Sequence, residues 1–476
     1  MNDQDQAAEQ EYRQTVRADP ANVEAQNALA VVLARQQRFD EAEVEFARAL
    51  TLSPDAPDIL YNLGLMRGRA KRFADAETTL RRVVELRPDH AFALNELGTV
   101  LEALRRFDEA EGVYRAALGI RPDFTKACNN LGRLYSTLQR DAEAEAATRG
   151  ALSIESGNAI ARWNLGMILL AQGRYREGWA LYEARRDPAL AHRLDAPPQL
   201  PYALWQGESL RGRSVSVWPE QGFGDQIQFV RYLPLLRVAG ARRITLVCSR
   251  ELQRLFENNG LADEVVTKED AADLPEQDFW TPLMSIPLRL GTTLDTLPAQ
   301  LPYLDAPARN PLNAASDDAF RVGLVWRGSA GQANDGNRSL PSLRTLAPLW
   351  KVPGIHFVSL QMGPVGDEAA SPPPDQPISD ARAVMADFAD TAALIRGLDL
   401  VISVDTAVAH LAGALGKPCW VLLPFLANYW CWLRDRDDSP WYPQVMRLFR
   451  QSVAGDWREV VQRLTAALAS EVGARR

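Results

Sequence analysis

The chain has 476 residues, 46% hydrophobic and 24% charged, an ordinary globular composition spread over a length that suggests about three domains. A formal net charge of -8 leaves no basic surplus to neutralise phosphates, so nucleic acid is not the expected partner. Four cysteines without metal-ligand spacing and four scattered histidines, His90, His192, His356 and His410, argue against a metal centre and for a reduced, cytoplasmic setting. The first residues carry no basic segment followed by an apolar one, and nowhere do roughly 18 apolar residues run together, so neither a secretory leader nor a membrane span is expected.

Pro20, Pro54, Pro88 and Pro122 recur every 34 residues. Leu63-Gly64, Leu97-Gly98, Leu131-Gly132 and Leu165-Gly166 hold one phase of that period, with Leu29-Ala30 ahead of them. Ala42, Ala76, Ala110 and Ala144 hold a second phase, and Phe46, Tyr114 and Tyr182 a third. This period, with small residues for close helix approach and aromatics to fill the gap, is the tetratricopeptide signature. It predicts repeats at 23–56, 57–90, 91–124, 125–158 and a degenerate one to about Arg186, capped by a polar half-repeat at 3–19. An array over residues 1–190 presents a curved surface whose concave face suits a protein segment. Asn62, Asn95, Asn130 and Asn164, with Asn27 and Asn129, lie on the first helices, where amides could grip an extended backbone or could simply be solvated.

Beyond Pro188 a linker, DPALAHRLDAPPQLP, leads into a different pattern. Strands are expected at Ser214–Trp218 and Arg243–Cys248, with helices from about Asp225 and over Glu251–Asn258. A second linker, Asp305–Asp318, precedes a strand at Arg321–Trp326, a helix at Ser342–Leu349, a strand at His356–Leu360 and a helix at Asp390–Leu398. Leu400–Val404, Ala407–Leu415 and Cys419–Leu423 then read as strand, helix, strand, the βαβ unit of a sheet buried on both faces, and a helix over Asp456–Ala467 closes the chain. Two βα-alternating lobes, 191–310 and 311–476, predict a cleft between facing strand ends.

Three loops carry chemistry. Gln221-Gly222-Phe223-Gly224-Asp225 turns from strand to helix; the glycines permit close approach of a ligand, and the pattern lacks the third glycine of a dinucleotide fingerprint. Asp225 at the helix start is expected to keep a low pKa through the helix dipole and to act either as a general base or merely as a cap. After the strand at 321–326, Ser329 and Arg338 could meet a diphosphate, and Gln361, after the next strand, could touch a base edge. Asp405 and Thr406 fall where a strand meets a helix N-terminus, with His410 one turn on, an arrangement suited to phosphate but equally to an N-cap and an interior histidine. Trp430, Trp432, Trp441 and Tyr442 are expected to pack more readily than to stack on a ligand.

GFGD followed by VISVDTAVAHLAGALGKPCW resembles bacterial heptosyltransferase-type glycosyltransferases, and with the repeats the chain is similar to tetratricopeptide-repeat glycosyltransferases, some of which modify flagellin. The resemblance covers essentially the whole chain. It implies a GT-B fold, no metal or cofactor requirement, inversion at the anomeric carbon and a nucleotide-sugar donor. By that resemblance Asp225 matches the catalytic base, Asp405, Thr406 and His410 the donor-phosphate motif, and Arg338 the place of a lysine. Arg for Lys exchanges a point charge for a planar fork, Ala407 stands where glycine is frequent, and Cys419 replaces a valine. The expected activity is sugar transfer to a protein hydroxyl held by the repeats. A non-catalytic repeat scaffold, a transferase acting on lipid or polysaccharide, and an epimerase of the same two-lobed architecture are the alternatives.

Overall fold

Each 34-residue unit folds as two antiparallel helices because its small residues let the pair close. The computed structural model describes residues 3–190, 198–308, 319–332, 334–426 and 428–475. Much of both expected linkers, with His192, lies outside the described residues. The helices are α1 (Asp3–Ala18), α2 (Val23–Arg35), α3 (Phe39–Leu52), α4 (Pro57–Arg69), α5 (Phe73–Leu86), α6 (Ala91–Ala103), α7 (Phe107–Ile120), α8 (Thr125–Thr137), α9 (Asp141–Ile154), α10 (Ala159–Ala171) and α11 (Tyr175–Tyr182). At Gly98 a Cβ would come within 2.5 Å of the Tyr114 ring, which is itself fully buried, so α6 and α7 touch where no side chain fits. The turns from first to second helix use left-handed residues one period apart, Gln37, Lys71, Arg105 and Gln139, with Gly173 in the fifth turn.

A charge ladder with the same period ties neighbouring repeats. Arg38 pairs with Glu9 and Glu41, Arg72 with Glu43 and Asp75, Arg106 with Glu77 and Glu109, and Arg140 with Glu111 and Glu143. Each arginine sits at the start of a second helix and reaches one acid on that helix and one in the preceding repeat. Single exposed pairs contribute little; a series in which each arginine is joined to the preceding repeat holds register.

Two compact units divide the chain, one of Met1–Ser136 with Arg140–Asn164, the other of Thr137–Gln139 with Leu165–Arg476. The boundary falls within α10, so the second helix of the fifth repeat belongs to the second unit.

The second unit holds two parallel sheets. The first orders β1 (Ala203–Leu204), β5 (Phe279–Pro282), β2 (Ser214–Trp218), β3 (Arg243–Cys248) and β4 (Glu264–Thr267) as β1-β5-β2-β3-β4. The second orders β6 (Phe320–Val325), β7 (Ile355–Ser359), β8 (Ser379–Asp380), β9 (Leu400–Val404), β10 (Cys419–Leu423) and β11 (Met446–Arg450) as β11-β10-β9-β6-β7-β8. Helices of the first lobe are α12 (Phe223–Phe229), α13 (Leu233–Val238), α14 (Arg250–Asn259) and α15 (Ile286–Arg289). Those of the second are α16 (Asp335–Arg338), α17 (Asp367–Ala370), α18 (Phe388–Arg396), α19 (Ala407–Ala414) and α20 (Arg458–Arg475). A tetratricopeptide array followed by a two-lobed, GT-B-like α/β fold is therefore the architecture, as the pattern of elements predicts.

Strands β2, β3, β9 and β10 have the expected bounds. The helix expected at Ser342–Leu349 is instead a 3-10 stretch, Leu343–Lys351, because Pro348 inside it cannot donate to an α-helical ladder. The closing helix runs longer than expected, started by Asp456 accepting from the Arg458 N–H and held by Val460, Leu464 and Leu468 against the sheet core of Val322, Leu324, Ile402 and Leu422. Strands β1, β4, β5, β8 and β11 carry too little pattern to be anticipated; two of them span only two residues.

In both sheets the chain reverses direction beside the first long strand. From β2 it runs outward through β3 and β4, then returns to β5 on the other side; from β6 it runs through β7 and β8, then returns to β9. The residues following β2, β6 and β9 thus leave the sheets at the crevices where ligands bind in open α/β folds.

Candidate functional site

The two switch-point turns meet. Helix α12 packs on α19, and α14 on α18. Arg254 of α14 pairs with Asp387 and Asp390, at 2.6 and 2.5 Å, while Phe223 meets Phe388 edge-on with ring centroids 5.2 Å apart. At the centre, a Cβ on Gly224 would lie 2.9 Å from His410 Cδ2 and 3.5 Å from Ala407 Cα. Glycine is needed there for contact between the lobes, an observation that gives the second glycine of GFGD its physical reason.

Asp225 is half-buried in this contact. Its Oδ2 accepts from the Gly222 N–H at 3.1 Å, which is the capping role, and its Oδ1 accepts from the Tyr429 hydroxyl at 2.6 Å. Burial, reinforced by Asp405, pushes its pKa up to about 6 against the opposing hydrogen bonds. The expectation of a carboxyl held low by the helix dipole is corrected: α12 has only seven residues, and loss of water outweighs its dipole. At neutral pH the group is still mostly ionised.

Asp405 is also raised by burial, with Arg338 and a weaker polar contact from the Trp432 indole pulling it back. Thr406 occupies the N-cap position of α19, but its hydroxyl pairs with Ser403 Oγ at 2.9 Å and the first turn has no side-chain cap. Arg338, the last residue of α16, sits 3.5 Å from Asp335 and packs its guanidinium against Gly328, where a Cβ would lie 2.5 Å from it. Ser329, next to Gly328, lies exposed. These residues line one crevice edge beyond β6 and β9.

Other sequence candidates are placed differently. His410 is buried, 2.8 Å from the Tyr442 hydroxyl through Nδ1 and stacked on Trp432 with centroids 5.1 Å apart. Burial and the nearby Arg231 lower its pKa to about 3, so the ring is neutral and spent on packing. Gln361 does not offer itself to a base edge: its Oε1 accepts from the Trp326 and Arg327 N–H groups and its Nε2 donates to the Arg327 carbonyl. It braces the loop because that turn leaves backbone donors unpaired. Trp430, Trp432, Trp441 and Tyr442 are all core residues, 0–3% exposed.

In the array, Asn62 donates to Asn27 at 3.2 Å and Asn130 to Asn95 at 2.9 Å, pairing residues of adjacent repeats. Asn95 is fully buried and Asn164 is 7% exposed, which corrects their assignment to a binding groove. Asn129 likewise bonds Asn158.

The residues that sequence reasoning missed are Tyr429, the donor to Asp225, and Tyr182 and Arg185, which bond Gln221 and Glu220. Tyr429 lies 204 residues from its partner, beyond the reach of any spacing argument. Among the described residues, no group of three or more His, Cys, Asp or Glu side chains could hold a metal, and no helix is long and apolar enough to cross a membrane.

Tetratricopeptide-repeat models match residues 6–57, 61–123 and 125–158, and a model described as glycosyltransferase family 9 (heptosyltransferase) matches residues 384–422, which contain β9, Asp405, Thr406, α19 and β10 up to Leu422. Protein FlbA of Caulobacter vibrioides (strain ATCC 19089 / CIP 103742 / CB 15) is 31% identical over 326 residues, 63% of this chain and 53% of FlbA. The chain thus spans about half the length of the curated relative it matches. Among solved structures, MamA is 25% identical over 30% of this chain and 85% of its own, with a TM-score of 0.29. A thermophilic TPR protein of Thermus thermophilus is 25% identical over 36% of this chain and 96% of its own, with a TM-score of 0.32.

Proposed function

We propose that the α/β half transfers a sugar from a nucleotide-sugar donor to an acceptor hydroxyl, with residues 191–310 forming the acceptor side and 311–476 the donor side. The observation that carries this reading is the meeting of α12 and α19, which sets Asp225, a carboxylate of pKa about 6, opposite the uncapped start of a helix. A base with that pKa is ionised at neutral pH yet basic enough to accept a proton as an alcohol oxygen attacks. The acceptor C–O bond forms as the anomeric C–O bond to the diphosphate breaks; the proton passes to Asp225, and attack opposite the leaving group inverts the anomeric carbon. Thr406, the α19 amides, Ser329 and Arg338 offset the charge gathering on the diphosphate. Gly222 and Gly224 keep the turn thin enough for the donor phosphate to approach. Asp405, beside a phosphate, serves through its attraction to Arg338, whose fork it orients. His410 and Gln361 act as positioning residues.

The repeats at 1–190 hold the acceptor as a protein segment, with Asn62 and Asn130 the half-buried amides left to meet it. Flagellin is the first acceptor to try, on the strength of the family resemblance alone.

A thermal-shift series with UDP, GDP, ADP, dTDP and CMP tests the donor side, because a ligand bound only by the native state raises its melting point. One nucleotide is expected to stabilise the wild type and to lose that effect in Thr406→Ala and Arg338→Ala. Stabilisation by none of the five replaces the transferase with a repeat scaffold that captures proteins without turnover.

A further inference from the structure

The loop before Asp225 is held from an unexpected direction. Gln221, immediately ahead of Gly222, has φ +56°, a left-handed conformation that is uncommon for a residue with a side chain. Its Nε2 donates to the Tyr182 hydroxyl at 2.7 Å. The residue before it, Glu220, receives a two-pronged pair from Arg185, Nε to Oε1 at 3.0 Å and Nη2 to Oε2 at 2.8 Å. Arg185 is 5% exposed and also donates to Glu183 and to the Ser285 hydroxyl, at 2.7 and 2.8 Å. Glu220 Oε2 further accepts from the Met284 N–H.

Tyr182 ends α11, and Arg185 lies in the 3-10 turn that follows, Glu183–Arg186. Both therefore come from the last repeat's second helix and its exit. That helix is anchored where it stands: Tyr175, Trp179 and Tyr182 pack ring to ring with Trp430, Trp179 also with Phe229, and the Trp441 indole donates to the Tyr175 hydroxyl. Tyr429, next to Trp430, completes the circuit by donating to Asp225. The grip on Glu220 and Gln221 sets the position of Gly222, whose N–H holds the other carboxyl oxygen of Asp225.

We infer that Tyr182 and Arg185 are positioning residues, through which the last helix of the repeat array fixes the loop carrying Asp225. The inference rests on the reading of Asp225 as the base, but the hold on the loop can be measured without any turnover. A buried arginine spending its fork on one loop glutamate, beside a left-handed glutamine tied to the same turn, is more than packing requires; the aromatic cluster alone would seat the helix.

Amide hydrogen exchange on the full chain tests it, following peptides that cover residues 218–229. Tyr182→Phe keeps the ring in its cluster and removes only the hydroxyl. Exchange in that segment is expected to quicken about tenfold, with peptides from β6 and β9 unchanged. In a Gln221→Gly background, where the amide that reaches the hydroxyl is gone, Tyr182→Phe should have no further effect. Arg185→Lys keeps the charge and loses the fork, and should loosen the same segment. Unchanged exchange in Tyr182→Phe, or effects that simply add in the double variant, overturns the inference.

With a donor in hand, Tyr182→Phe should lower kcat while leaving the donor KM in place. It should also move the acid limb of the pH profile upward, because Asp225 loses the steady Gly222 N–H. A loosened loop with wild-type turnover and an unmoved profile would keep the brace and remove Asp225 from its role as base.

Discussion

The array and the α/β half are built by opposite means. In the array the polar ties between repeats reach one repeat away: Asn62 to Asn27, Asn130 to Asn95, Arg106 to Glu77. In the α/β half the decisive contacts join residues about 200 apart, Tyr429 to Asp225 and Arg231 to the Trp441 carbonyl. A quasi-one-dimensional stack tolerates local damage, since each repeat answers only to its neighbours. The contact between the lobes does not, because side chains such as Tyr429 and Arg231 reach from one lobe to the other. The tryptophans separate the two experimentally. Of the 12, all but Trp163 lie in the second unit, so their fluorescence reports chiefly that unit, while far-ultraviolet circular dichroism also counts the array helices.

The sharpest test of this contrast is chemical. Asp225→Asn should lower turnover about a thousandfold while nucleotide affinity, read by titration calorimetry, stays near wild type. Next in size is Arg231, a 3%-exposed cation that lies 4.2 and 4.7 Å from the Tyr303 and Tyr442 rings and donates to the Tyr303 hydroxyl. Arg231→Met removes the charge and strands those acceptors, and should cost about 3 kcal/mol in the fluorescence-detected urea transition. Gly98→Val drives a side chain into the Tyr114 ring and should cost about 2 kcal/mol, visible by dichroism with the main fluorescence transition in place. Movement of both signals together would mean that the two units unfold as one.

Acidity gives a tenfold effect with opposite signs. The Asp225 carboxyl is raised in the folded chain, so its contribution to stability is present below the ordinary carboxylate value and fades as pH rises through about 6. Turnover should climb over the same interval, about tenfold per unit below pH 6, and level above it. The smallest expected effect is Asn130→Ala, about 1 kcal/mol in the dichroism transition for one amide pair between repeats. Its effect should not add to that of Asn95→Ala, because one hydrogen bond cannot be lost twice.

How much is legible in the chain follows the distance between partners. The period of the prolines, glycines and alanines contains the whole array, and the apolar runs at Ser214, Arg243, Leu400 and Cys419 delimit four strands to the residue. The arginine ladder at 38, 72, 106 and 140 is equally open to view, since it keeps the same period. The crevice is legible only as turns of the right composition. GFGD promises a thin strand-to-helix turn, and Gly224 against His410 is that turn. His410 and Gln361 escape such reading because a histidine or glutamine in a motif looks the same whether its partner is a ligand, another side chain or the chain's own backbone.

By itself the sequence determined the elements, their order and the two kinds of architecture, because periodicity and turn chemistry act within a few residues of chain. Only the tertiary structure decided which carboxylates share an environment, which histidine is neutral, and that the last repeat helix belongs to the crevice. Those outcomes depend on desolvation and on partners brought together by the closing of two lobes, quantities that no local pattern carries.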